Sequence, residues 1–148
     1  MPTNTGNYLI SLPSDGTAGS NQLSKFKRIM VIIKQTQATP ANKTSTLNAL
    51  GANIELLCSL PVSQAFNQNV GPGRTIIYDI KIDDGIYGVE GYGATSSGSG
   101  SAVKYAGNPS LYPYDSSVMS ATQLSLLIGS GSDTFPEGTT LNVWYIRK

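Results

Sequence analysis

The sequence predicts an all-β protein, a single-domain antiparallel β-sandwich or jelly roll of about eight or nine short strands. Three observations lead there. Short runs rich in β-branched and aromatic residues recur along the chain, as in Phe26 to Ile33 and Leu141 to Ile146. Clusters of Gly, Pro, Ser and Asn separate them. No helical units alternate with these runs, so a parallel βαβ sheet is not expected. A sheet of this many strands must fold over to bury its faces. At 148 residues the chain suits one domain with its own core.

The C-terminal stretch Phe135 to Lys148 organises the rest. Pro136-Glu137-Gly138 reads as a turn, because Pro fixes φ and Gly accepts positive φ. A strand follows. Its alternation puts Leu141, Val143 and Tyr145 on one face, and Trp144 and Ile146 on the other. A strand apolar on both faces needs two covers. The core supplies one. A subunit interface through Trp144 and Ile146 is the expected second.

Taken in order, residues 1–24 are polar and read as an N-terminal arm or edge element, and residues 25–148 as the sandwich domain. Tyr8 to Leu12 is a short strand candidate inside that arm, followed by an Asp15-Gly16 turn. Phe26 to Ile33 is a continuous apolar run, expected to be covered on both faces. Lys25, Lys27, Arg28 and Lys34 flank it as solvated ends that discourage edge aggregation. Thr44 to Leu50 reads as a short helix stopped by Gly51, and Asn53 to Pro61 as a strand. Arg74 to Ile82 is a strand with Ile76, Tyr78, Ile80 and Ile82 toward the core. Asp83-Asp84-Gly85 turns it into a hairpin with Ile86 to Val89. Gly93 to Ser101 is too simple in composition to pack a core and reads as a surface loop. Val103 to Tyr105 reads as a short strand, Asn108 to Tyr114 as an irregular aromatic loop, and Ala121 to Ile128 as a strand.

Composition excludes several functions. Charged residues make up 13% and the net charge is +1, so there is no basic footprint for nucleic acid or for a membrane surface. No apolar run reaches the length of a transmembrane helix, and membrane insertion is not expected. Met1-Pro2-Thr3-Asn4 lacks the regions of a signal peptide, so synthesis in a cytoplasm is expected. The lone cysteine, Cys58, permits no intrachain disulfide and reads as a buried small apolar side chain.

The chain has no histidine, which removes the usual general base and zinc ligand together. Asp79, Asp83 and Asp84 precede Gly85, yet the calcium-loop pattern is missing, and a solvated turn explains them. Glu90, between Val89 and Gly91, is the carboxylate with the most unusual setting, without a second one positioned for hydrolysis. The Gly88 to Gly93 glycines have no following helix for a dinucleotide. The sequence therefore points to no enzyme, no cofactor and no metal. Binding is better supported. Tyr87, Tyr92, Tyr105, Tyr112 and Tyr114 fall in or beside Gly/Ser-rich segments, a mix of rigid rings and adaptable hydrogen bonds suited to recognition. Packing of loop bases or of a subunit interface is the structural alternative for them.

Leu124-Ser125-Leu126-Leu127-Ile128-Gly129-Ser130-Gly131, followed by Phe135-x-x-Gly138-Thr139-x-Leu141-x-Val143-Trp144, resembles the closing strands of phage virion jelly rolls. These are the small trimeric β domains of tail fibres, tail tips and head decorations. The resemblance implies a non-enzymatic virion protein, made in the host cytoplasm, homotrimeric, and in contact with other virion proteins. It implies first an adhesion or receptor-binding module of a tail fibre or tip, with a host-surface glycan as a possible target. A capsid decoration protein laced to its neighbours by residues 1–24 is the alternative. A stand-alone carbohydrate-binding lectin comes third.

Overall fold

The computed structural model describes residues 7–35, 44–51, 54–61, 74–83, 86–96, 102–106, 110–113, 116–128, 135 and 138–148. These residues form ten strands: β1 (Asn7–Ser11), β2 (Phe26–Gln35), β3 (Thr44–Leu50), β4 (Ile54–Pro61), β5 (Arg74–Asp83), β6 (Ile86–Ser96), β7 (Ala102–Ala106), β8 (Ser110–Pro113), β9 (Gln123–Ile128) and β10 (Thr140–Arg147). A four-residue helix, α1 (Ser116–Met119), precedes β9. One sheet runs β1-β9-β3-β4. The other runs β10-β2-β5-β6-β7, with β8 also on β6. Every pairing is antiparallel.

The pairings are nested. β3 pairs β4 in the smaller sheet, β2 pairs β5 in the larger, and β1 pairs β9 in the smaller again. This is an antiparallel ribbon rolled so that successive pairs alternate between sheets, the winding of a jelly roll. The all-β sandwich expected from the sequence is the fold.

Between the sheets lies one core. The larger sheet contributes Ile29, Val31, Ile33, Ile76, Tyr78, Ile80 and Ile82, and the smaller contributes Ile10, Leu47, Ala49, Leu57, Cys58, Leu124 and Leu126. Strand alternation sorts these residues inward, and the expected core face of β5 is the observed one. Leu57 and Cys58 are consecutive yet both buried. A register shift between Leu47 and Asn48 explains it, because a bulge turns two neighbours the same way. Tyr78 donates its hydroxyl hydrogen to Ser45 Oγ at 2.7 Å, a buried bond that ties one sheet to the other.

Several expectations change. Thr44 to Leu50 is strand β3 and not a helix. Ser45, Leu47 and Ala49 are buried at alternate positions, a two-residue period that a helix cannot keep. Within the expected aromatic loop, Ser110–Pro113 is β8, paired with Ile86 to Val89. Of the arm-or-edge reading for residues 1–24, the described residues 7–24 form an edge element packed on the core. Asn7–Ser11 is an edge strand, and Ile10, Leu12 and Leu23 belong to the core. The connection to β2 is stitched down by Leu12 N–H to Thr122 O at 2.9 Å and Leu23 N–H to Ala121 O at 2.8 Å. Arg147 clamps it from the other side, donating to Ser20 O and Pro13 O while lying over the Phe26 ring.

Two glycines have specific reasons. Gly138 takes φ of 78°, as the expected turn before β10 requires. Gly51 lies under α1, where a Cβ would sit 2.6 Å from the Ser117 carbonyl oxygen. The hairpin between β5 and β6 also forms where expected, with Asp83 paired to Ile86. Its Asp84-Gly85 tip lies outside the described residues.

Candidate functional site

β10 is a sheet edge whose inner side packs as expected. Leu141, Val143 and Tyr145 are partly buried against the core, and Tyr145 meets Phe26 with ring centroids 5.6 Å apart. Burial pushes the Tyr145 hydroxyl pKa up. The outer side differs. Trp144 is 66% exposed and Ile146 50% exposed. Both subunit-interface candidates therefore face away from their own core, as the alternation required.

Register builds a surface around them. Trp144 shares a rung with Met30 and Asp79, Ile146 with Arg28 and Lys81, and Asn142 with Ile32 and Ile77. Met30, Ile32 and Ile77 are only half-buried. Together with Trp144 and Ile146 they make an apolar strip across three strands. Arg28, Met30, Ile32, Trp144 and Ile146 line a shallow depression of about 400 Å³ in it. The second cover that the sequence calls for on β2 and β10 is not supplied by the described residues. In the sequence Met30 and Ile32 stand only as part of a continuous apolar run, and Arg28 as one of its flanking cations. Their contact with Trp144 depended on knowing that β10 pairs β2.

One ion pair is set into the strip. Arg28 donates Nε–H to Asp79 Oδ1 at 2.9 Å and Nη2–H to Oδ2 at 2.8 Å, a two-point fork. Lys81 Nζ stands 3.8 Å from the same carboxylate. Asp79 is buried and its charge is answered within the sheet by Arg28 and Lys81. Arg28 is thus not simply a solvated strand end. Among the described residues no group of three side chains could hold a metal ion. Besides the forked guanidinium, the exposed Asn142 and Lys81 stand on the same face of the strip.

The five tyrosines divide. Tyr87 and Tyr112 are paired across β6 and β8, and Tyr92 and Tyr105 stand on adjacent rungs of β6 and β7. Four of the five thus stand on strands and not in loops. Adjacent rungs alternate between the faces of the sheet, so only Tyr87 and Tyr112 share a rung and a face; the two groups are centred about 18 Å apart along β6, at roughly 3.3 Å per residue. Their side chains, and all of Tyr114, lie outside the described residues. Cys58 is buried, at 3% exposure.

No helix among the described residues is long and apolar enough to cross a membrane. Neither a scan of protein-family models nor a search of curated proteins gives a match to this chain.

Proposed function

We propose that the chain is a non-enzymatic structural protein of a phage virion, a jelly-roll module that assembles with copies of itself and serves adhesion in a tail fibre or tail tip. The observation that carries this reading is the uncovered apolar strip around Trp144. A monomer that kept such a strip in water would be prone to association, and a protein that uses it would not. The nested strand pairing agrees with the resemblance to virion jelly rolls. The missing histidine supports the non-enzymatic part. The homotrimer is the count that the resemblance implies.

The tail reading is preferred to capsid decoration for a structural reason. The decoration reading draws on the short, self-contained chain without a shaft and also on residues 1–24 as an arm lacing onto neighbours, and only the second ground is weakened. Residues 7–24 are instead built into this chain's own sandwich.

Light scattering on the wild type and on Trp144→Ala tests the assembly. The variant is expected to lose mass while keeping its melting temperature. An unchanged mass removes the strip from the interface. Receptor binding is tested separately. A joint alanine variant of Tyr92, Tyr112 and Tyr114 is expected to lose binding to host cells, and equal binding would end the adhesion reading.

A further inference from the structure

The outer face of the smaller sheet holds a polar side chain that its surroundings do not satisfy. Asn48 stands between Leu47 and Ala49, which point into the core, so alternation turns Asn48 outward. It is nevertheless only 7% exposed. Among the described residues no hydrogen-bond partner meets its side-chain amide. Ser125, directly across on β9, is also buried, and its hydroxyl is engaged with Asn7. A buried amide left unpaired costs about 1–3 kcal/mol and calls for a partner from outside the chain.

The neighbours shape a site around it. Asn48 and Ser125 are the middle of one rung whose ends are Leu9 and Leu56, both half exposed. Three strand spacings separate those leucines, about 14 Å. The half-buried Leu127 and Leu50 stand on the adjacent rungs. The outcome is a trough with a small polar floor framed by four leucines. A register shift between Leu47 and Asn48 places an extra residue of β4 beside this point, and such bulges re-aim side chains locally. Among the described side chains on this face none is charged.

We infer that this trough binds a neutral saccharide, with sugar hydroxyls on the Asn48 amide and the C–H face of the ring on the leucines. An amide offers a donor and an acceptor side by side, and neighbouring hydroxyls offer the same in return. Apolar walls with a few convergent polar groups are the usual make-up of a small-ligand site. An anionic ligand finds no counter-charge on this face. A broad protein surface cannot reach a floor buried between leucines, whereas a hydroxyl can. The trough lies on the opposite side of the sandwich from Trp144, so the inference goes beyond the proposed function and needs neither the virion nor the assembly.

The purified chain is screened on an array of neutral and anionic oligosaccharides, and the strongest neutral one is titrated by calorimetry. Wild type is expected to bind neutral oligosaccharides in preference to anionic ones. Asn48→Ala should weaken that binding at least about tenfold. Its melting temperature should stay at or above that of wild type, because no hydrogen bond within the chain is lost. A purely structural Asn48 would not lose binding while keeping stability. Should Asn48→Ala fold poorly, the exposed rim carries the test, and Leu9→Ala combined with Leu56→Ala should weaken binding severalfold. No neutral oligosaccharide bound at millimolar concentration, a preference for anionic ones, or variants that bind as wild type would each overturn the inference. The light-scattering and host-cell tests of the proposed function stand apart from all three outcomes.

Discussion

Each sheet turns one face away from the core, and among the described residues each outer face carries two large apolar side chains at least half exposed: Leu9 and Leu56 on the smaller sheet, Trp144 and Ile146 on the larger. By count the faces are equal. By arrangement they are not. Leu9 and Leu56 share one rung but stand on opposite edge strands, with Ser125 and Asn48 between them. The neighbouring rungs carry Asn7, Leu127 and Thr46, then Ser11, Gln123 and Leu50, with Leu127 and Leu50 half-buried, and Ser125 Oγ donates to Asn7 Oδ1 at 2.7 Å. On the larger sheet Trp144 and Ile146 are on one strand, with Met30 and Ile32 beside them on the next. Scattered apolar residues are ordinary, and a contiguous strip marks an interface. What matters is adjacency, and strand order decides adjacency.

The largest expected effect tests the smaller sheet. Deleting residues 1–24 removes β1 and takes Ile10, Leu12 and Leu23 from the core. Cooperative unfolding, followed by circular dichroism, should disappear. A truncated chain that melts normally would show that residues 7–24 are an arm after all.

Next is Arg28→Ala, which leaves the buried Asp79 carboxylate with only Lys81 at 3.8 Å. A loss of about 2–3 kcal/mol is expected in denaturant melts, discounted because Arg28 is partly exposed. Ser125→Ala, the neutral counterpart on the smaller sheet, should cost about 1 kcal/mol. Equal losses would erase the electrostatic difference between the faces.

Trp144→Ala and Leu9→Ala then compare the exposed apolar residues themselves. Each should change monomer stability by less than about 0.5 kcal/mol. Only Trp144→Ala should weaken self-association, by about 2 kcal/mol. Equal effects in sedimentation would mean that contiguity is not the deciding property.

A further test probes the bond between the sheets. Tyr78→Phe should cost about 1 kcal/mol at neutral pH. Burial pushes the Tyr78 hydroxyl pKa far up, against the pull of its bond to Ser45. A raised pKa makes stability full below the unfolded value of about 10 and lost as pH rises above it. The wild type should therefore lose stability in alkali more steeply than Tyr78→Phe. Parallel curves would show that Tyr78 is not sealed between the sheets.

Much of the fold was legible. Alternation in β5 and β10 named the correct inward residues, and Gly138 and the Asp83 hairpin were read from turn chemistry. Thr44 to Leu50 was misread because Leu47, Leu50 and the stop at Gly51 also satisfy a helical spacing. Gly51 serves instead as a close approach for α1. Of the site, Trp144 and Ile146 were found because two-sided apolar strands are uncommon outside covered sheets. Met30 and Ile32 were seen only as part of a run, and the Arg28–Asp79 fork was not seen.

The sequence alone determined most of the strands, though not β3 or β8, and the inward parity of β5 and β10, because both follow from local sterics and a two-residue period. It could not decide which strands become neighbours. Arg28 and Asp79 are 51 positions apart, and β10 reaches β2 across most of the chain. Such pairings are selected by packing two sheets around one core, a property of the whole chain that no local pattern encodes. That selection gathered the scattered outer-face residues of β2 and β10 into one strip and set β10 at the end of its sheet among the described residues.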